Sequence, residues 1–339
     1  MNIYTIAELA GVSPSTVSKV INNKGNVSAG TRRRILDIVA EHNFQPRTCS
    51  NIASNIALFF RRSQGDVFSS SYIKATISGI SNYFIDKPRN LLLISTDKIQ
   101  VDRVQFQTYC HHNHIDGAVF LNAMAQDTYI SELSGVVPFA VLGLELPGQD
   151  VFSIYPDDYK GSHEAMAYLL KMGHRNIAFP MLDQRYYAHA RRLDAYKNAL
   201  RDHGIPLNPR YLFGPENFSE TEFRMLWDSW KQLDMLPTAI MCSNDDTAVL
   251  LLAHLRQMGV RVPEDISIVG FDDYPYSVYL SPALTTVRQP MFQLGWEAAS
   301  ILEKRINDRT ASLPSSIVLP EELIIRHSVS KIGGPIGKE

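Results

Sequence analysis

Cysteine is scarce. Cys49, Cys110 and Cys242 are the only three in 339 residues, far apart and odd in number. They offer neither a metal spacing nor a disulfide framework, which fits a reducing compartment. No run of about 18 apolar residues occurs, and the first residues lack an apolar signal core, so no membrane partner is expected. The expected location is the cytoplasm. G-x-S-x-G, a Walker loop, G-x-G-x-x-G and H-E-x-x-H are all missing, which argues against an enzyme and gives no reason to expect a cofactor. A strong overall charge is missing too. The formal net charge is −2, so no basic field covers the whole molecule.

What is present is ordinary globular composition, 45% hydrophobic and 20% charged, over a length that suggests two or three domains. The charge is uneven. The first 50 residues hold Lys19, Lys24, Arg32, Arg33, Arg34 and Arg47 against Glu8, Asp37 and Glu41. A basic head on an acidic body suggests a nucleic-acid contact confined to the head.

The stretch "IAELAGVSPSTVSKVIN" pairs two very short helical patterns. Asn2 caps a first helix whose apolar side is Ile6, Leu9 and Ala10. Gly11 stands where that helix should end, tolerating a left-handed backbone. Ser13 caps the second, with Pro14 at its first position, where no N–H is needed. Val17, Val20 and Ile21 form its inner face; Ser15, Thr16, Ser18 and Lys19 form its outer face. Ser28 caps a third, longer helix with Ile35, Leu36, Ile38 and Val39, and Phe44 closes the core. This is helix-turn-helix geometry. A generic three-helix bundle would explain the apolar pattern. It would not explain a second helix so thin and polar outside, which suits a major groove about 12 Å wide.

The run "TIAELAGVSPSTVSKVINNKGNVSAGTRRRILDIVAEHNFQP" resembles the DNA-binding headpiece of the lactose repressor/galactose repressor family of bacterial transcription regulators. The signature spans Ala10 to Asn22. The resemblance implies base reading by Ser15, Thr16 and Lys19, with Pro14 heading the recognition helix. It implies phosphate contacts for Ser13, Ser18, Asn22 and Ser28, and adds Tyr4 to the DNA-binding set. Phosphate contacts position the helix, whereas base contacts specify sequence. Lys19 replaces the more common Arg, and lysine lacks the bidentate fork that suits guanine.

In the family a linker helix follows and inserts an apolar wedge, usually Leu, into the minor groove. Here "PRTCSNIASN" (46–55) is shorter and has no Leu. Ile52 is the candidate wedge and Arg47 a candidate phosphate contact; a plain polar linker is the alternative.

From Ile56 onward short apolar strands alternate with amphipathic helices. "IALFF", "NLLLIS", "GAVFL" and "PFAVLG" form one series; "NIAFP", "YLF", "AIMCS" and "ISIVGF" form another. Helical patterns cover roughly 72–84, 104–111, 159–172, 188–203, 220–233 and 247–258. "TTVRQP" and a helix near 291–307 cross back. The fold class is therefore an all-α helix-turn-helix headpiece (1–45), a hinge linker (46–55) and an α/β effector domain (56–330) of two doubly wound parallel sheets. Expected subdomains are about 56–156 with 290–313, and 157–289 with 314–330, before a flexible tail at 331–339. "DGAVFL", "KMGHRNIAF", "RLDAYKNAL", "SNDDTAVLLLAHLRQMGVRVPEDISIVGFDD" and "SPALTTVRQP" look like landmarks of the same family. They imply a periplasmic-binding-protein-like body with three crossings.

A ligand in such a fold lies beyond the carboxyl ends of the strands, between the sheets. Arg192 begins "RLDAY", where the resemblance implies a ligand arginine, and Asn244, Asp245 and Asp272, at strand ends, are the other polar candidates. One donor fork with acceptors suits vicinal hydroxyls. Phe218 falls where the family sets an aromatic against its ligand; Gln289, Phe68, Tyr72 and Asn122 complete the set. A structural ion pair is the alternative for Arg192 and Asp272. Gly143 stands where some relatives place a ligand acid. "CHHNH" (110–114) could bind zinc, but no partner has suitable spacing elsewhere, so a solvated helix end is expected and no metal. The paired aspartates read as helix caps.

The resulting expectation is a sequence-specific DNA-binding transcription regulator, a repressor, in the bacterial cytoplasm and associated with the nucleoid. Its partners are double-stranded operator DNA, a sugar-like effector (sugar or sugar phosphate, then purine or amine) and a second copy in a homodimer. No heptad run follows Ser330, so no coiled-coil tetramer is expected. A transport receptor would share the body but need a signal peptide.

Overall fold

The computed structural model describes residues 3–21, 27–41, 54–61, 68, 70–96, 102–214, 219–233 and 236–332. The chain divides into two compact units, Met1–Ser54 and Asn55–Glu339. Among the described residues no helix is long and apolar enough to cross a membrane.

The first unit holds α1 (Ile3–Ala10), α2 (Pro14–Ile21) and α3 (Ala29–Glu41). Its core is Ile6, Ala7, Ala10, Val17, Val20 and Ile35, with Val12, Val27, Ile38 and Val39 packed against it. Two expected core residues face outward: Leu9 is 54% exposed and Leu36 46%. So small a core has room only for the narrow stripe Ile6–Ala7–Ala10 on α1, and Leu9 falls off its edge. Asn2, Asn22, Phe44 and most of the expected hinge lie outside the described residues. The hinge's last two residues, Ser54 and Asn55, belong instead to the first strand.

In the second unit, one sheet contains β1 (Ser54–Phe60), β2 (Arg89–Ser95), β3 (Ile115–Leu121), β4 (Phe139–Leu142), β5 (Val151–Pro156) and β11 (Ser316–Leu319). Its order is β11-β5-β4-β3-β1-β2. The other contains β6 (Ile177–Pro180), β7 (Leu212–Phe213), β8 (Ala239–Met241), β9 (Ser267–Asp272), β10 (Thr285–Arg288) and β12 (Glu322–Ile324), in the order β12-β10-β9-β8-β6-β7. β12 runs antiparallel to β10. Helices α4 (Ser71–Phe84), α5 (Arg103–His112), α6 (Tyr129–Glu132) and α11 (Met291–Asn307) follow the first sheet; α7 (Asp158–Lys171), α8 (Tyr187–Asp202), α9 (Glu220–Lys231) and α10 (Asp245–Gln257) follow the second.

The period of two places apolar side chains on both faces of each central strand. Ile56 and Leu58 pack into one cluster with α4 and α11, Ala57 and Phe59 into another with α5. Such two-sided burial is what a parallel sheet requires. Where α4 crosses α11, a methyl group at Gly79 would overlap the Phe292 carbonyl and one at Gly295 the Thr76 carbonyl, so two glycines set the helix separation.

Four strands were not expected: β5, β10 (read only as a segment crossing back), β11 and β12. β11 also moves a boundary. Residues 314–319 belong with the first sheet, not the second, because β11 pairs in parallel with β5. Pro320 ends that strand, and the third crossing falls at Pro320–Glu321. The first crossing is at Asp157 and the second at Gln289–Pro290.

Candidate functional site

In the first unit Gly11 ends α1 with φ +62°, and its N–H donates to Glu8 O at 3.1 Å. Ser13 Oγ accepts the Thr16 N–H at 3.2 Å, closing the first turn of α2. The same hydroxyl lies 2.8 Å from Ser15 Oγ and 2.9 Å from Thr16 Oγ1. Val17 and Val20 are buried, so Pro14, Ser15 and Lys19 are turned outward and exposed, with Thr16 and Ser18 half-buried beside them. Ser28 accepts from Thr31 N at 3.3 Å and is exposed at the start of α3. Tyr4 is 72% exposed on α1. Every described member of the expected DNA-binding set is thus at least partly accessible. Asn22, Arg47 and Ile52 lie outside the described residues.

In the second unit a cavity of about 570 Å³ opens between the carboxyl ends of the two sets of strands. Tyr72 and Asn122 line it from the first sheet's side; Arg192, Asn244, Asp272 and Gln289 line it from the other. Phe68 is 44% exposed and is not part of the lining, and Phe218 lies outside the described residues. Asp245 is a correction. It is wholly buried at the start of α10, where its carboxylate accepts from Tyr274 N at 3.0 Å, Ser277 Oγ at 2.6 Å and Thr286 Oγ1 at 2.6 Å. It ties α10 to the end of β9 and to β10, while its neighbour Asp246 reaches the cavity. A helix period of 100° per residue turns Asn244, Asp245 and Asp246 to different sides, which adjacency in sequence cannot reveal.

Arg192 is buried on α8. Its Nε and second terminal nitrogen reach Asp158 Oδ1 at 2.8 and 2.7 Å, its Nη1 donates to Ser243 O, and its plane lies 3.7 Å from the centroid of Phe271. Asp272 is 3.9 Å away. The main ion pair is therefore with Asp158, an acid read from sequence only as a cap. Asp272 ends β9 at φ +121° and accepts from the Gln289 amide. Burial pushes its carboxyl up to about 8, against the pull of Arg192. Asn244 Oδ1 caps α10 through Thr247 N at 2.8 Å.

Sequence reading missed an aromatic wall. Tyr186, Tyr187 and Tyr274 line the cavity with Tyr72, and His189 joins them. Burial, then the Arg192 charge, depress His189 to about 4, so it is a neutral ring. Asn122 Nδ2 donates to Tyr186 Oη at 3.4 Å, and Ala125 N to Arg185 O at 2.8 Å, linking the two sides of the cleft. His111 and His112 occupy the last turn of α5 and are exposed. Among the described residues no group of three His, Cys, Asp or Glu is placed to hold a metal.

Residues 2–47 match the model for bacterial regulatory proteins of the lacI family, and 166–329 that for a periplasmic binding protein-like domain. The chain belongs to the lacI family of regulators. This lacI-family chain is 28% identical to the HTH-type transcriptional regulator DegA of Bacillus subtilis (strain 168), covering 97% of its own length and 98% of that protein. It is 29% identical to the HTH-type transcriptional repressor PurR of Vibrio vulnificus (strain CMCP6), covering 97% and 99%. A solved transcriptional regulator CelR–cellobiose complex superposes with TM-score 0.69 at 26% identity, covering 97% of this chain and 99% of that one. The lacI-family regulator thus carries a DNA-binding headpiece and an effector-binding domain on one chain.

Proposed function

We propose that this regulator is a homodimeric repressor whose operator affinity is set by a neutral, sugar-like effector held between the subdomains. The observation that carries the reading is the cavity composition. Four tyrosines supply stacking faces, and Asn122, Asn244, Asp272 and Gln289 supply donors and acceptors for hydroxyls. Among the described lining residues Arg192 is the only guanidinium or ammonium, and Asp158 already engages it. That favours an uncharged polyhydroxy compound over a sugar phosphate. The cellobiose in the CelR complex is consistent with this chemistry.

Ser15, Thr16 and Lys19 of α2 read bases, while Ser13, Ser18, Ser28 and Tyr4 steady the headpiece on phosphates. One headpiece buries too little surface for tight specific binding, so two act on a near-palindromic site in the bacterial cytoplasm. Effector binding closes the cleft and releases DNA, by no more than its differential affinity for the two arrangements. The reading includes no catalytic step.

A thermal-shift screen of neutral sugars, sugar phosphates and nucleobases tests the assignment. A true effector raises the melting temperature of the wild type by mass action, and Arg192→Ala or Asp272→Ala removes most of that rise. A ligand that binds both variants as tightly as the wild type sinks the pocket assignment.

A further inference from the structure

Each crossing between the sheets brings a polar group toward one guanidinium. The first leads into Asp158, whose Oδ1 lies 2.8 Å from Arg192 Nε. The second carries Gln289, which donates to Asp272 beside the same arginine. The third carries Glu321. Its two carboxyl oxygens are buried and have no hydrogen-bond partner among the described residues. The group is pressed against the first turn of α7, where a methyl group at Gly161 would overlap Glu321 Oε2 and meet Val287 of β10. The charges around it are Asp157 and Asp158 at the start of α7, Arg192 on α8 and Asp272 at the end of β9. Arg288 of β10 is taken by Asp273 and Glu322.

Asp158, Asp272 and Glu321 therefore surround one buried cation. Full ionisation would leave unbalanced negative charge in a dry site, and binding a proton is the cheapest relief. Asp158 has the short bonds to Arg192, and Asp272 has the Gln289 amide. Glu321 has neither, so of the three acids it holds its proton to the highest pH, beyond Asp272. Burial first, and then the Asp158 charge, push its carboxyl up to about 9.

We propose that Glu321 is a proton-holding hinge residue that governs Arg192: neutral, it leaves the guanidinium to Asp158 and the cleft; ionised, it draws the guanidinium toward the third crossing. The effector thus meets a more available arginine at lower pH. This rests on the cleft being the effector site, but the experiment requires no effector, so a failed ligand screen and a failed hinge role are separable.

Infrared spectra of the full chain labelled with carbon-13 glutamate show, at about pH 7, a protonated glutamate carboxyl that titrates well above the ordinary range. Glu321→Gln removes it. In parallel melting profiles, the wild-type folding constant falls relative to Glu321→Gln by up to about tenfold per pH unit between about pH 5 and pH 9. A double-mutant cycle of Glu321→Gln with Arg192→Gln shows coupling that grows from about pH 6 to pH 9. If a variant fails to fold, the wild-type infrared titration decides by itself. Absence of any protonated glutamate at about pH 7, parallel melting profiles, or a coupling independent of pH overturns the proposal.

Discussion

Arg192 must stay charged in a place that water does not reach. Asp158 and the Ser243 carbonyl satisfy it from behind, and the Phe271 ring lies under its plane. Asp272 is the counterpart that gives way, with its carboxyl raised by burial to about 8. A carboxyl raised on folding binds its proton more tightly in the folded state. Its stabilising effect is complete below about pH 4 and is lost as pH rises to about 8, by up to about 1.4 kcal/mol per pH unit. Asp272→Asn is therefore expected to flatten the melting profile between those limits, and an unchanged slope would contradict the assignment. In the headpiece, Ser13→Ala removes the cap of α2. We expect a loss of about 1 kcal/mol of headpiece stability in urea titrations, with weaker operator binding because the same hydroxyl orders Ser15 and Thr16.

Elements position these residues through a few contacts. The α4–α11 pair has Gly79 and Gly295 at its crossing, each facing a backbone carbonyl of the other helix. Gly295→Ala raises intrinsic helix propensity by about 1 kcal/mol but forces the helices apart. We expect a net loss of about 1–3 kcal/mol by chemical denaturation, as for other overpacked sites; a gain in stability would show that the helices separate freely. The α2 helix depends on Val17 and Val20 alone among its described buried side chains. Pro14, Ser15 and Lys19 are exposed on its outer side and available for recognition.

At the scale of the molecule, the first 50 residues carry a net charge of +3 in a chain whose total is −2. Affinity for DNA should therefore fall steeply with salt, through counterions released from phosphates. Fluorescence anisotropy on a selected duplex is expected to give a slope of log K against log [salt] near −0.9 per phosphate neutralised. Lys19→Ala should weaken binding and relax base preference at one position, whereas Ser28→Ala weakens all sequences alike. Light scattering should show a dimer at micromolar concentration; a monomer both on and off DNA would refute the two-half-site arrangement.

The headpiece was legible because its signals are local. A glycine at a helix end, Ser-Pro at the next start and a short apolar stripe each act within a few residues. Most interior strands were legible for a similar reason, since two-sided burial writes continuous apolar runs; β5, interrupted by Ser153, and β10, with Thr285 and Thr286, were not read as strands. Edge strands β11 and β12 carry half-buried or exposed residues and were missed. Asn244 and Asp272 were singled out as polar groups at strand ends and Arg192 from the family resemblance, and one cavity brings them together with Gln289, Tyr72 and Asn122. What the tertiary structure alone decided is which groups meet. Asp158, Asp272 and Glu321 are up to 163 positions apart in the chain and converge on one arginine. Asp245 turns inward while Asp246 reaches the cavity. Electrostatic energy depends on separation and on exclusion of water, and neither is fixed by sequence spacing until the chain has folded.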